Sequence, residues 1–576
     1  EASPAFWLSA IEAEAGRLDA ALARARGACE AEPLNVNLAR NLIDLLGLDA
    51  DFEGARAVVA RLEPMFEARP TRLAETAEIW RTLGEADRAN ACIERALKLA
   101  PRNPAILMTA ARIAFEREDF ETAHQYARAS LDVDPLRMGG YFLAARIARR
   151  LGRPEEADAL ASTAAAVWPD RTLSHTAAVE NAIAKRDAAA AVASMDVVES
   201  LRTINGDKPQ IRMIWSAAAL AGEAGDHAAF MRFARQMTQA IYGVFPPDLG
   251  LWTGAPFRGQ RMLTIARGGP GDEVRLYYAA LRRVAAEASH LTHVGDPRLE
   301  SLFRRNFPGH EFVANPWTGR RLGRRREAIT DEMRKGLAQG TLEALRRFGS
   351  YLPQKAVDAA HNIAVADALW EHRLFPVFGD THAPEAPAPL VCDPAKLAAA
   401  RAFLDGLPPG PRVGVSWRAS YASANRFTGG FFHVEDAGAF LSVPGAVFVD
   451  LHPNVVDEEF ARAVELAGGR LYRGPFDLQN DFEALAALSA SLDAVITPGV
   501  TQRDVAAAFR EGEVWSFNLA PEYSERWRID AEGRDRFQPR ILHHDFVSHG
   551  DRASIAAALA ARVRDLVAAR GEAQGA

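Results

Sequence analysis

The chain has 576 residues, 48% hydrophobic and 25% charged, with a formal net charge of -7. That length exceeds one hydrophobic core and implies roughly two to four domains. The acidic balance excludes a chain built mainly to bind nucleic acid. Three scattered cysteines, Cys29, Cys92 and Cys392, exclude a disulfide framework and a cysteine-based zinc site and suit a reducing cytoplasm. No run approaches about 18 uninterrupted apolar residues, so no membrane span is expected. The opening Glu1-Ala-Ser-Pro lacks the basic and apolar regions of a secretory signal.

The first third is periodic. Ala21, Ala55, Ala89, Ala123 and Ala157 stand 34 residues apart. Gly16, Ala50, Gly84, Glu118 and Gly152 lie five residues before them, and Pro33, Glu67, Pro101, Pro135 and Pro169 twelve residues after. The alanine lets two helices pack closely, the glycine makes the turn between them, and the proline punctuates the unit. This 34-residue pattern resembles the tetratricopeptide repeat. Residues 1–170 are read as five such units. Residues 171–250 are read as degenerate helical repeats that cap the array and link it onward. Solenoids of this kind present a concave face, so the array implies a protein or peptide partner.

From Gly259 onward short apolar runs alternate with amphipathic ones. The pattern predicts strands at 262–266, 290–294 and 311–314, with helices at 274–288 and 299–306. Residues 320–326 form a basic loop, either a solvated face or a contact for a phosphate or an acidic surface. Helices are predicted at 331–348 and 356–369. The proline-rich stretch 376–394 reads as an interdomain linker. A second block follows from 395, with strands at 412–417, 447–451, 470–472, 492–497 and 514–517. Its helices are predicted at 434–441, 457–467, 481–491, 501–510 and 552–568. Such alternation packs as parallel sheets with helices on both faces, and ligands bind outside the carboxyl ends of the strands.

The stretch Arg267-Gly268-Gly269-Pro270-Gly271-Asp272-Glu273 joins a strand to a helix. Glycines permit close approach of a ligand, and a helix N-terminus suits an anion or an ordered carboxylate. Asp272 and Glu273 fall in that first turn, where they also complement the helix dipole. His543, His544, Asp545 and His549 lack metal-ligand spacing, and no Asp-x-Asp pair is present to hold a nucleotide's divalent ion. The expected chemistry is therefore metal-independent.

These features resemble a known arrangement. The motifs are the Gly-x-Gly-Asp-Glu turn, Asp296-Pro-Arg-Leu299, Gly349-Ser350-Tyr351-Leu352-Pro353, Val413-Gly-Val-Ser-Trp-Arg418 and Asn480-Asp-Phe482. Behind a tetratricopeptide solenoid, they look like bacterial repeat-fused glycosyltransferases of the GT-B fold. The catalytic part is similar to heptosyltransferases and the domain order to O-GlcNAc transferases. Within that group the chain looks most like flagellin glycosyltransferases that transfer nonulosonic, pseudaminic-type sugars in the bacterial cytoplasm.

The resemblance implies an all-α solenoid followed by two Rossmann-like domains with a cleft between them, at 251–390 and 395–576, the second binding the nucleotide sugar. It implies that Asp272, with Glu273 beside it, is the general base on the acceptor hydroxyl. Gly269, Gly271, Gly349 and Ser350 would line the cleft. Ser416, Trp417, Arg418 and Arg426 would face the donor phosphate, where arginine offsets the leaving charge. Heptosyltransferases often carry Asp-Thr-Ser-x-x-His at the late turn; here Thr497-Pro-Gly-Val-Thr-Gln-Arg-Asp504 stands instead. Gly499 replaces the Asp and Asp504 the His. The turn is closer to O-GlcNAc transferases, in which a Thr and an Asp meet the phosphate and ribose, here Thr501 and Asp504. Blander roles remain open: Trp417 as core, Thr501 as an N-cap, Asp504 as a dipole complement.

The expected activity is transfer of a sugar, CMP-linked rather than UDP-linked, to a Ser or Thr of flagellin bound by the solenoid. No cofactor, nucleic acid or membrane is expected to take part. Two alternatives stand beside it: an inactive scaffold or assembly factor, and a UDP-sugar transferase acting on another protein or a glycan.

Overall fold

The computed structural model describes residues 4–14, 18–48, 51–207, 210–226, 228–230, 232–233, 236, 257–266, 269–314, 360, 362–366, 387–419, 431–453, 455, 457–519 and 528–575. The chain divides into two compact units, a helical array and an α/β unit that holds both sheets.

The array comprises thirteen described helices: α1 (Pro4–Glu14), α2 (Leu18–Ala31), α3 (Val36–Leu48), α4 (Phe52–Leu62), α5 (Pro70–Thr82), α6 (Ala86–Leu99), α7 (Pro104–Glu116), α8 (Phe120–Val133), α9 (Met138–Arg150), α10 (Pro154–Val167), α11 (Thr172–Ala184), α12 (Ala188–Asn205) and α13 (Ile211–Glu223). They pack as successive hairpins. The five phased alanines are all buried, because only a methyl group fits where the two helices of a hairpin meet. Gly84 and Gly152 turn the chain with φ of 82° and 68°. Glu118 and Arg186 hold the same left-handed conformation at the same repeat position, which a side chain disfavours by about 1 kcal/mol. Arg186 shows that the turn geometry persists past residue 170, into the α11–α12 hairpin. Pro70, Pro104 and Pro154 open helices at a position where a missing N–H costs nothing. Arg112–Glu78 (3.3 Å) and Arg153–Glu121 (2.9 Å) tie successive hairpins.

The α/β unit contains two all-parallel sheets. The first has the order β3-β2-β1-β4, with β1 Arg261–Ala266, β2 His290–Gly295, β3 Glu311–Ala314 and β4 Asn362–Ala366. The second has the order β10-β9-β8-β5-β6-β7, with β5 Arg412–Val415, β6 Val447–Asp450, β7 Leu471–Tyr472, β8 Ala494–Pro498, β9 Val514–Asn518 and β10 Ile541–Asp545. Read from β7, this is the doubly wound 3-2-1-4-5-6 order; the first sheet is its 3-2-1-4 part. The two Rossmann-like sheets and the helical array are the architecture expected of a solenoid fused to a GT-B fold. Val413, Val415, Phe448, Ile496 and Phe517 are fully or almost fully buried, as parallel strands covered on both faces require.

Helices follow the strands: α14 (Pro270–Leu276), α15 (Glu300–Asn306), α16 (Pro394–Asp405), α17 (Val434–Leu441), α18 (Asp457–Leu466), α19 (Phe482–Ala490), α20 (Thr501–Phe509) and α21 (Arg552–Gly575). α14 starts at Pro270 and runs on through a π-helical turn, Tyr277–Leu281, to Glu287.

Three expectations are corrected. Within 356–369, residues Asn362–Ala366 are strand β4, paired in parallel with β1 from Met262 to Ala266. A short Ala-rich apolar run carries no period to separate a buried strand from a helix. Pro394 belongs to α16 and not to the linker; the Asp393 side chain caps that helix, accepting from the Ala395 and Lys396 N–H groups. Ile541–Asp545, for which the sequence pattern predicts no strand, form the edge strand β10. The basic loop 320–326 and the expected helix 331–348 lie outside the described residues.

Candidate functional site

Both sheets reverse their strand order at a switch point, between β1 and β4 and between β5 and β8, where open parallel sheets bind ligands. The expected site residues follow β1, β5 and β8 and so gather at these two points.

After β1, Gly269 is the N-cap of α14 and Asp272 its third residue. Asp272 Oδ2 accepts the Gly269 N–H at 3.0 Å and Oδ1 accepts Arg275 Nη1 at 3.1 Å. Its side chain is 40% exposed, while Arg275 beneath it is buried. Glu273 points the other way, into the core. Its Oε1 accepts the Tyr277 hydroxyl at 2.5 Å and lies 3.1 Å from His293 Nε2; Oε2 accepts the Asp296 N–H at 3.0 Å. His293 Nδ1 is 2.7 Å from Thr264 Oγ1, which completes a buried polar chain across β1, β2 and α14. Burial and the neighbouring Glu273 push the Tyr277 phenol well above its ordinary pKa. Of the two adjacent acids, only Asp272 keeps an accessible carboxylate.

After β5, Ser416 donates its N–H to Ile496 O of β8 at 2.9 Å and its hydroxyl to Arg418 O at 3.1 Å. Trp417 is fully buried. Its backbone N–H donates to His452 Nε2 at 3.1 Å and its indole N–H to Glu459 Oε1 at 2.6 Å. Arg418 Nε lies 2.8 and 3.0 Å from the two Glu459 oxygens, and Nη2 also bonds Glu459. Burial opposes ionisation of Glu459, but hydrogen bonds from Arg418 and Trp417 hold its carboxyl below the usual range. Behind them His452 Nδ1 lies 2.8 Å from Asp450 Oδ1, and Asp450 Oδ2 accepts Arg473 Nε at 2.9 Å. His452 thus takes the Trp417 N–H on Nε2 and turns Nδ1 to Asp450. The segment 416–418 is thus clamped by Asp450, His452 and Glu459, none of which the sequence reading singled out. The one local signal is Asp-x-His directly after an apolar strand.

After β8, Thr497 is buried and donates its hydroxyl to Pro498 O at 3.2 Å. Val500 is the N-cap of α20, so Thr501 is its first helical residue and not the cap. An added Cβ on Gly499 would meet Arg503 Nη1 at 3.1 Å. Arg503 therefore covers the glycine that stands where heptosyltransferases carry an Asp, and reaches Asp504 with Nε 3.2 Å from Oδ1. Burial raises the Asp504 carboxyl, the charges of Arg503, Arg275 and Arg528 oppose that, and Asp272 adds to it.

The two switch points touch. A Cβ on Gly271 would lie 2.7 Å from Thr501 Cα and 3.2 Å from Asp504 Oδ2. The first turns of α14 and α20 are therefore in backbone contact. The halves are further joined by Arg305 to Glu483 (2.6 Å) and Arg298 to Gln479 O (2.8 Å). Arg426, Gly349 and Ser350, with Arg267 and Gly268, lie outside the described residues. Among the described residues no three His, Cys, Asp or Glu side chains converge to hold a metal ion. His543 faces Asp535 (3.4 Å) and His544 faces His549 (3.5 Å), so the two adjacent histidines serve different partners.

No protein-family model matches the chain. It is similar to Protein FlbA of Caulobacter vibrioides, 30% identical over 259 residues, covering 42% of this chain and 37% of that protein. The chain thus spans little more than a third of the length of that relative. Among solved structures, a glycosyl transferase family 9 protein from Veillonella parvula is 11% identical with a TM-score of 0.38, over 54% of this chain and 97% of that one. A tetratricopeptide repeat protein from Parabacteroides merdae is 15% identical with a TM-score of 0.34, over 42% and 93%.

Proposed function

We propose that the chain is a protein glycosyltransferase. The helical array recruits the acceptor protein, and the α/β unit moves a sugar from a nucleotide to a Ser or Thr hydroxyl. The finer reading, resting on the motif resemblance, is a nonulosonic acid from a CMP donor delivered to flagellin in the cytoplasm. The observation that best supports transfer chemistry is the convergence of two switch points, with the half-exposed Asp272 carboxylate at the junction. In this reading Asp272 takes the acceptor proton. The first turn of α20, at Thr501, receives the donor phosphate, with Arg418 and Arg426 offsetting its charge.

Asp272→Asn tests it. Asn still accepts the Gly269 N–H, so the cap survives, but it takes no proton. The expected result is near-normal nucleotide and acceptor binding with transfer, read as the mass increment on the acceptor, slowed at least about a hundredfold. Transfer at the parent rate would remove Asp272 from the chemistry. Glu273→Gln is a poor control, since Glu273 is bonded on both oxygens in the core.

A second reading, a scaffold or assembly factor without transfer, is favoured by one observation. Protein groups occupy the places a donor needs: Gly271 seats on Thr501, Arg503 covers Gly499 and Glu459 holds Arg418. A parent protein that binds the acceptor yet transfers nothing from CMP- or UDP-sugars would make this the better account.

A further inference from the structure

The edge of the helical array carries an apolar row that the proposed function leaves unused. Met65, Leu99, Val133 and Val167 stand 34 residues apart and are 45%, 51%, 42% and 46% exposed. Leu99, Val133 and Val167 are the last residues of α6, α8 and α10, so the repeat places one at the same edge of each hairpin. Leu136, three residues after Val133, is 72% exposed. The same hairpins bury Ile106, Ile113, Leu131 and Ile147 in their core. An array that hides its core this well and still presents a regular apolar row is organised to cover that row.

We propose that the row is covered by a second copy of this chain, paired antiparallel about a two-fold axis at Val133 and Leu136. Two observations select that occupant. The spacing of the row is fixed by the hairpin repeat, and a second copy carries the same spacing by construction. A two-fold axis across the row sets Leu99 against Val167 and brings Val133 and Leu136 against their own copies. The charges alongside agree. Three residues beyond Leu99 and Val167 stand Arg102 and Asp170, both exposed. Antiparallel pairing sets Arg102 against Asp170 twice; parallel pairing would set each against itself. Arg102 makes no ion pair within the chain among the described residues, and Asp170 has only the distant Arg171 at 3.8 Å.

The test uses the full chain and its mass in solution, by light scattering and sedimentation across concentration. The expected parent species is a dimer of the 62.6 kDa chain. Leu136→Glu, at an exposed position, keeps the helical circular dichroism and weakens self-association at least about tenfold. Arg102→Asp and Asp170→Arg each weaken it, and the double variant restores it, since the swapped charges again oppose each other. A parent that stays monomeric overturns the proposal. So does a dimer indifferent to Leu136→Glu, or a double variant no better than the singles. A Leu136→Glu variant that loses acceptor capture while its self-association matches the parent's would assign the row to the acceptor instead and equally overturn it.

Discussion

Gly271→Ala puts the contact between the two halves of the α/β unit to a test of sign. Gly271 is the second residue of α14, and intrinsic helix propensity favours Ala there by up to about 1 kcal/mol. The contact argues the opposite. The added methyl would sit 2.7 Å from Thr501 Cα, a backbone atom, and 3.2 Å from Asp504 Oδ2. Reaching ordinary van der Waals distance requires the two first turns to part by roughly 0.7 Å, and overpacking of that kind costs about 1–3 kcal/mol. Set against the propensity gain, the net expectation is a loss of about 1–2 kcal/mol, local to the junction. A chain of several domains has no single unfolding free energy, so amide hydrogen exchange is the suitable assay. Peptides covering 269–287 and 501–510 should exchange roughly 5–30-fold faster in the variant. Gly269→Ala is the control: its added methyl meets nothing closer than Asp272 Oδ2 at 3.9 Å, and the change costs less than about 1 kcal/mol. Exchange in Gly271→Ala that is unchanged or slower would show that the helix mouths do not meet, and the site would then be an open cleft.

Gly295→Ala should be among the most damaging changes in the α/β unit, at about 3 kcal/mol or more, because its methyl would stand 2.0 Å from Glu273 Oε1 and 2.9 Å from His293 Nε2, breaking a fully buried hydrogen-bond chain; a variant that melts with the parent refutes this. In the array, burial raises the Glu116 carboxyl from 4.5 to about 7 although Arg81 pairs with it, so the folded chain retains a proton that the unfolded chain has released in that window. The stability associated with this group is full below pH ~4.5 and is lost as pH rises through ~7, so Glu116→Gln should gain about 1–3 kcal/mol over the parent at pH 8 and little at pH 4 in thermal unfolding; an equal gain at both refutes it.

Much of the fold is written locally. A period of 34 with a small residue in phase can be read by eye, and every phased alanine is buried because the repeat demands it. Helix 434–441 is found at the residues its amphipathic pattern marks. What escaped reading is non-local or ambiguous. The run 362–366 is apolar and Ala-rich, and only its pairing with β1 makes it a strand. Asp393-Pro394 opens a helix, yet it closes a proline-rich stretch whose composition reads as linker. At the site, the sequence offers Asp272 and Glu273 as a pair, and nothing local says that one faces outward while the other ties β2 to α14. Arg418 looked free for a phosphate; its partner Glu459 lies 41 residues on, at the start of α18. The contact of Gly271 with Thr501 spans two domains and has no signature in either motif.

The two functional readings differ in what must move. For a donor to reach the first turn of α20, Gly271 must lift from Thr501 and Glu459 must release Arg418. Such an opening needs a pivot, and the structure contains a suitable one. Residues 387 and 388, inside the proline-rich linker, are held from both halves: Tyr278 Oη donates to Pro387 O at 2.9 Å, Arg282 Nη1 to Ala388 O at 2.8 Å, and Arg540 Nη1 to Pro387 O at 2.8 Å. These bonds run to backbone carbonyls of the connecting segment, so rotation about that segment keeps each half attached to it. The bonds that rotation breaks are the direct ones, above all Arg305 to Glu483, a largely buried pair in which Nη1 reaches both carboxylate oxygens. The enzyme reading therefore requires a closed form that opens by exchanging a few ion pairs for a phosphate. The scaffold reading requires the same contacts to be permanent. The Gly271→Ala exchange rates report on that contact directly, with no need to know the donor.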